Sequence, residues 1–283
     1  MNRVTLTTKG SKDYELLDSG NEQKLERYGA VLLARPDPQA LWPKMMGEDK
    51  WGSAQGRFER NGTEGIWYAN DLPKEWPIEF GGLNFIIKPT SFKHTGLFPE
   101  QLPNWEWVAA QKPKKVLNLF GYTGGVSLAA AKAGAEVTHV DASKTAVAWA
   151  SDNAKLSGLG DKPIRWIVED AMQFVKREIK RGNTYDGIIM DPPAFGHGPK
   201  DELWKIEENF MEFVAMCSEL LSDDAKFFLI NGYAAGYSSQ AFAYNLDPLV
   251  KKFGGRIEHG DLTIEESLSG RLLPAGIFAR WSK

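Results

Sequence analysis

The chain has 283 residues, 42% of them hydrophobic and 25% charged, an ordinary globular composition with room for one large core and a smaller accessory domain. A formal net charge of −3 and a pI near 5.9 argue against a uniformly basic nucleic-acid binder, and the one cysteine, Cys217, excludes an internal disulfide framework. No apolar run approaches the roughly 20 residues of a membrane helix, and the opening MNRVTLTTKGSKDYELL lacks a signal peptide's apolar stretch, so a cytoplasmic protein without membrane contact is expected.

Residues 1–80 are rich in Trp, Gly and Pro, with short extended runs such as Val31-Leu32-Leu33 and Gly65-Ile66-Trp67-Tyr68, which reads as a small β-rich domain. Trp42, Trp51, Trp67 and Trp76 suit the core of such a domain better than a base-stacking surface. Residues 81–283 form the second expected domain. There, strand-like runs alternate with helical patterns, the signature of a parallel sheet with crossover helices.

In order, strands are expected at Val116–Leu119, Val137–Val140, Ile164–Val168, Tyr185–Met190 and Lys226–Ile230. Helices are expected at Gly125–Ala133, Lys144–Leu156, Ala171–Lys180 and Leu203–Leu221, with another inside Ser239–Phe253. A final pair, Ile257–Leu262 and Ile277–Trp281, completes a doubly wound, mostly parallel seven-stranded sheet of the α/β class. Ligands bind such sheets at the carboxyl ends of the strands, where the strand order reverses. Three acids stand at those ends: Asp141, Asp170 and Asp191.

The first strand runs into Asn118-Leu119-Phe120-Gly121-Tyr122-Thr123-Gly124-Gly125 and then a helix. Glycines there let backbone amides approach a ligand, but their spacing fails the G-x-G-x-x-G of a pyrophosphate site. Asp141, twenty positions after Gly121, is placed for ribose hydroxyls, and Asp170 for an adenine amino group. Either acid could instead cap the following helix. Ribose and adenine without pyrophosphate describe S-adenosylmethionine. The fourth strand ends in Asp191-Pro192-Pro193-Ala194-Phe195-Gly196. Two prolines stiffen this loop, so the Asp191 carboxylate and the Pro192 carbonyl form a fixed acceptor pair for an amino group, with Phe195 free to stack on a base.

The stretches SFKHTGLFPEQ (91–101), VLNLFGYTGG (116–125), HVDASKTAVAWASDNAKLSGL (139–159), EDA (169–171), DPPAFG (191–196) and RLLPAGIFARW (271–281) resemble a class I methyltransferase. The similar group includes large-subunit ribosomal RNA methyltransferases that act on cytosine C5 or guanine N7. The resemblance implies that Phe98 and Gln101 line the methionine end of S-adenosylmethionine, with Lys93 and Thr95 nearby. It implies further that Asn118, Phe120, Thr123 and Gly124 surround methionine and ribose, that Asp141 takes the ribose, and that Ser143, Asp170 and Ala171 lie at the adenine. Asp191, Pro192 and Phe195 would face the acceptor, with RNA as the partner.

Cytosine-C5 enzymes need a nucleophilic cysteine after the fifth strand, and this chain has Phe228-Leu229-Ile230-Asn231-Gly232-Tyr233 there. Cys217 shares a helix with Ile206, Phe210, Phe213, Val214 and Leu221, at spacings of three and four, and is expected in the core. Methylation of a base nitrogen in RNA without a covalent adduct is the leading expectation. The alternatives are a small-molecule or protein methyltransferase, a non-catalytic cofactor-binding module and, more distantly, a nicotinamide-dependent oxidoreductase. His94, His139, His197 and His259 show no metal spacing. His139 reads as structural, and His197 as a loop residue beside the reaction site.

Overall fold

The computed structural model describes residues 1–61, 64–69, 71–91, 93–233 and 236–283. Phe92, in one of the stretches that carry the resemblance, lies outside them. The chain divides into two compact units, one of Met1–Leu6, Pro103–Leu262 and Gly276–Lys283, the other of Thr7–Leu102 and Thr263–Ala275.

The strands in chain order are β1 (Asn2–Thr8), β2 (Tyr14–Gly20), β3 (Gln23–Tyr28), β4 (Val31–Pro36), β5 (Gly56–Asn61), β6 (Glu64–Ala69), β7 (Trp76–Phe80) and β8 (Leu83–Ile87). They continue with β9 (Lys115–Leu119), β10 (Glu136–Asp141), β11 (Ile164–Val168), β12 (Gly187–Met190), β13 (Phe195–His197), β14 (Leu203–Lys205), β15 (Phe227–Gly232), β16 (Arg256–Glu265) and β17 (Leu272–Ser282). The helices are α1 (Glu48–Gly52), α2 (Leu102–Ala110), α3 (Gly125–Lys132), α4 (Lys144–Leu156), α5 (Ala171–Arg181), α6 (Ile206–Glu219), α7 (Ser239–Tyr244) and α8 (Asp247–Phe253).

The large sheet has the order β1-β16-β17-β15-β12-β9-β10-β11. Strands β9, β10, β11, β12 and β15 are mutually parallel, and β17 runs antiparallel to β15. The expected seven strands are present, and β1 extends them to eight. Strand β1 reaches the sheet because Gly260 of β16 has no side chain: a Cβ there would sit 1.6 Å from the Val4 carbonyl oxygen. From β9 the chain steps outward through β10 to β11, then returns to β12 on the other side of β9. The strand order therefore reverses between β9 and β12, which opens a crevice at their carboxyl ends.

Two apolar layers sandwich this sheet. One joins Phe174 and Val175 of α5, Phe210, Phe213 and Cys217 of α6, and Leu249 of α8 to Leu117, Ile188 and Phe228 of the strands. The other joins Val108 of α2 and Ala130 and Ala131 of α3 to Val116, Ile189 and Phe278. Cys217 is fully buried, as its helical face implies, and burial pushes its thiol pKa up.

Two helix expectations change. The segment read as one helix over Leu203–Leu221 begins as strand β14, because Leu203, Trp204 and Lys205 pair with His197, Gly196 and Phe195; α6 starts only at Ile206. Tertiary pairing here overrides a helical pattern. The segment Ser239–Phe253 splits into α7 and α8, with Pro248 in the first turn of α8, where its missing N–H costs nothing.

In the second unit, β2-β3-β4-β5-β6 form one sheet and β7-β8 a hairpin. The division expected between residues 80 and 81 falls at the turn of that hairpin, where Phe80 pairs with Leu83, so this unit runs on to Leu102. Each of the four tryptophans donates its indole N–H inside the unit: Trp42 to the Ser19 carbonyl, Trp51 to Asp18, Trp67 to the Thr90 carbonyl and Trp76 to the Tyr28 carbonyl. They are structural. A buried charge cluster anchors the sheet: Glu26 pairs with Arg35 at 2.5 Å and accepts from Tyr14 and Tyr28 at 2.9 and 3.1 Å. Among the described residues, no helix is long and apolar enough to cross a membrane.

The close approach at Gly260 is testable. Gly260→Ala forces β1 away from β16, at a cost of about 1–3 kcal/mol for overpacking. Hydrogen exchange will then accelerate in Asn2–Thr8 while β9 and β12 keep their protection. Unchanged protection in β1 would contradict the packing argument.

Candidate active site

A cavity of about 360 Å³ lies at the carboxyl ends of β9, β10, β11 and β12. Its walls include Phe120, Asp141, Ser143, Asp170, Ala171 and Asp191, brought together from four separate stretches of sequence. Pro193, Gly196, His197, Gly198 and Trp204 close it from the β13–β14 hairpin side.

The turn after β9 is backbone-strained. Phe120 and Tyr122 have φ of 58° and 46°, and Gly124 has φ of 89°. Only Gly124 needs its glycine for that reason. Gly121 and Gly125 serve packing instead: a Cβ on Gly121 would lie 2.4 Å from the His139 ring, and one on Gly125 would lie 2.3 Å from the Trp105 ring. The left-handed backbone at Gly124 and the packing at Gly121 and Gly125 thus stand beside the expected approach of backbone amides to a ligand.

Asp141 ties this turn to the next helix. Its carboxylate accepts from the Tyr122 N–H at 2.9 Å and from the Ser143 N–H at 2.8 Å. Burial raises its pKa, and the two amide donors pull against that rise. Ser143, not Asp141, caps α4, by accepting from the Ala146 N–H at 3.2 Å. Asp170 does cap α5, accepting from the Gln173 N–H at 2.9 Å, while still lining the cavity. Capping and ligand-facing roles coexist in this residue.

Asp191 differs from both. Among the described residues its carboxylate accepts no hydrogen bond, and although the residue opens onto the cavity, desolvation by the walls around the carboxylate raises its pKa from 3.8 to about 6. Pro192 is buried behind it. Phe195 stands on the hairpin with 55% of its surface exposed, its ring 5.2 Å from that of His197, so it is not a core residue. His197 pairs with Asp201 at 2.8 Å across the hairpin turn and also reaches the cavity wall.

The contacts of the other expected site residues are these. Asn118 is buried and donates to Ser127 at 2.8 Å; Ser127 in turn lies 3.0 Å from Nδ1 of His139, under the strained turn. The Thr123 carbonyl accepts from Asn153 at 3.0 Å. Phe98 and Gln101 belong to the second unit, where Gln101 ends the short 3-10 helix Pro99–Gln101 and the Phe98 ring lies 5.2 Å from that of His94.

Trp204 was not foreseen. It is 5% exposed, its ring lies 5.2 Å from Phe120 and 5.3 Å from Phe213, and its indole N–H donates to the Pro193 carbonyl at 2.7 Å. It therefore locks the Asp191–Phe195 loop to the cavity floor. The only sequence signal was a tryptophan soon after a rigid Pro-Pro loop.

The chemistry of the walls is selective. Among the described residues, three carboxylates and no lysine or arginine line the cavity. A pyrophosphate would be repelled there, whereas ribose hydroxyls, an adenine amino group and a sulfonium cation all suit acceptors. Among the described residues no cluster of side chains suits a metal ion.

Comparison with known proteins agrees with this chemistry. A family model described as S-adenosylmethionine-dependent methyltransferase matches residues 42–235. The chain is similar to a SAM-dependent methyltransferase from Agrobacterium tumefaciens of known crystal structure, with 42% identity and a TM-score of 0.94 over 99% of this chain and 95% of that one. It is also similar to ribosomal RNA large subunit methyltransferase K/L of Shewanella baltica, 29% identical over 228 residues, and to that of Shewanella sp. strain ANA-3, 31% identical over 229 residues. Each match takes in 80% of this chain but 30% of the relative, so the chain spans under a third of the length of these curated relatives.

His139 supplies a pH test of this site. Burial pulls its pKa down to about 3, so it is neutral in the folded chain, whereas an unfolded histidine titrates near 6.5. Its contribution to stability is complete above about pH 6.5 and is lost as pH falls towards 3, by about 1.4 kcal/mol per pH unit. His139→Gln removes that increment and leaves every other titrating group in place. Urea unfolding of both proteins between about pH 6 and about pH 4 will give stability slopes that differ by about one proton. Equal slopes would mean that the native imidazole is already charged.

Proposed function

The chain belongs to the S-adenosylmethionine-dependent methyltransferase family, and from that premise we propose that it methylates a base nitrogen in RNA, ribosomal RNA foremost, without a covalent enzyme adduct. The observation that carries this reading is Asp191: an unpartnered carboxylate at the switch-point cavity, held on a Pro-Pro loop, with the chain's one thiol buried in the core. The names of the K/L relatives support RNA as the acceptor class.

S-adenosylmethionine, when bound, supplies a methyl group already activated as a sulfonium. The chain's own residues bind, orient and dry the site. Asp141 and Asp170 keep acceptor lone pairs beyond those their backbone partners use, for ribose hydroxyls and an adenine edge. Phe120, Trp204 and Phe213 form a packed aromatic wall that excludes water. Asp191 accepts a hydrogen bond from the acceptor amino group and directs its lone pair at the methyl carbon. As the new N–C bond forms and the C–S bond breaks, an N–H proton passes to Asp191, whose raised pKa makes it a competent acceptor. Phe195, exposed at the mouth, is placed to stack on a base. Alignment supplies most of the acceleration.

Radiolabelled cofactor and RNA from cells lacking the protein test the substrate class. Label in one nucleotide is expected, and label confined to protein or small molecules would overturn RNA as the substrate. At subsaturating cofactor, where kcat/KM reports the free enzyme, transfer should fall as pH drops through about 6, where Asp191 takes up a proton and stops accepting. Asp191→Asn should lose that dependence and slow transfer by about 10²–10⁴. A rate independent of pH between about 5 and about 8 would point to a ring nitrogen, which needs no acceptor carboxylate. Asp141→Ala should weaken S-adenosylhomocysteine binding by about 1–3 kcal/mol in calorimetry, and unaltered affinity would remove its ribose role.

A further inference from the structure

A second depression, about 580 Å³ in volume, adjoins the cavity and shares Asp170 with it. It runs between the exposed face of α5 and the turn of the β13–β14 hairpin. Lys176 and Lys180, one helical turn apart on α5, line one side, and Lys200 lines the other. All three are exposed, and among the described residues none of them makes an ion pair.

The acids of this groove are occupied. Glu169 pairs with Arg177, Asp170 caps α5, and Glu202 accepts from the Lys200 backbone N–H at 2.8 Å. Lysines near a helix C-terminus are ordinary, since the macrodipole favours them. That account does not reach Lys200, which comes from a different element and meets the two helical lysines across a gap. Nor does the cofactor need these cations, because S-adenosylmethionine itself carries a net positive charge and its cavity is lined by carboxylates. In a chain of net charge −3, a groove of unpaired lysines beside the transfer site suits an anion that the cofactor does not provide.

We propose that this groove is a phosphodiester-binding site that grips the backbone of the acceptor RNA next to the cavity where methyl transfer occurs. The proposal rests on the reading of RNA as substrate. Contacts to phosphates fix register and carry no base information, so the groove would hold the strand while the Asp191 loop selects the base.

The experiment compares the full-length protein with a Lys176→Gln/Lys180→Gln/Lys200→Gln variant. A control variant carries Lys132→Gln, Lys251→Gln and Lys252→Gln, three exposed lysines outside the groove. Binding of a short fluorescein-labelled RNA of mixed sequence is measured against salt, with S-adenosylhomocysteine affinity as the check on folding. Three phosphate contacts contribute a slope of about −2 in log K against log salt for a single strand. Raising salt from about 50 to about 200 mM should therefore weaken the wild type and the control about twentyfold more than the groove variant. S-adenosylhomocysteine affinity should be equal in all three.

Equal salt slopes in the groove variant and the wild type overturn the groove. Release of the RNA by low-millimolar inorganic phosphate at constant ionic strength identifies a single-anion pocket and overturns the backbone assignment. The methylation assay separates the two readings. Methylated RNA with an unchanged slope in the groove variant removes the groove and leaves the substrate, whereas a lost slope without RNA methylation leaves the groove and removes the substrate. A wild type that binds no RNA removes both.

Discussion

The strained turn between β9 and α3 is the constraint from which the site follows. Phe120 and Tyr122 hold left-handed backbone angles that cost a residue with a side chain of order 1–3 kcal/mol each, so the turn exists only because its surroundings over-determine it. Those surroundings are specific. The Gly121 N–H donates to the Val140 carbonyl at 3.0 Å, the Tyr122 N–H to Asp141, and Asn153 to the Thr123 carbonyl. Beneath them the Asn118–Ser127–His139 chain fills the space that a residue larger than glycine at position 121 would occupy. The result is that Phe120 turns towards Trp204 and Phe213 and becomes cavity wall.

Electrostatics build on that scaffold. Four parallel strands end together, and three of them end in an aspartate, which concentrates negative charge where the chain reverses its winding. Two of the acids are held by backbone donors, whereas Asp191 has none among the described residues. Desolvation raises the pKa of both Asp141 and Asp191, and an arriving sulfonium cation would offset the cost of keeping each of them ionised. The same distribution selects against phosphate-bearing cofactors.

Much of this was legible in the sequence where local pattern and tertiary role coincide. Lys144–Leu156 and Ile164–Val168 lie where periodicity put them: the helix buries Val147, Trp149, Ala150 and Ala154, and Ile164 and Ile167 of the edge strand pack half-buried against the core, although Val168 is exposed. The three strand-end acids were legible for the same reason: a strand's end is marked by its sequence, and the fold rule supplies the location. What could not be read depends on partners that an element's own pattern does not name. Trp204 carries a helical pattern but pairs with Gly196, and β1 becomes a sheet edge only through contact with Gly260, more than 250 positions away. The reasons for Gly121 and Gly125 were likewise invisible, because His139 and Trp105, which exclude a Cβ there, are remote in sequence.

An acidic chain with a proposed polyanionic substrate presents an apparent conflict that the arrangement of charge resolves. Net charge governs long-range attraction only on average; at distances below the Debye length, about 8–10 Å near physiological salt, the local set of charges decides. Here the acids are drawn inward to the strand ends, three of them tied to backbone or guanidinium partners, whereas Lys176, Lys180 and Lys200 face solvent with no ion pair among the described residues. On the proposed reading a strand would therefore meet cations first, at the rim, and carboxylates only at the base that enters the cavity. That order suits the chemistry, because a phosphate kept at the rim leaves the Asp191 carboxylate free to bind an amino donor. The hairpin that carries Phe195 and Lys200 borders both regions, so one short element would hold the backbone on one side and stack the base on the other.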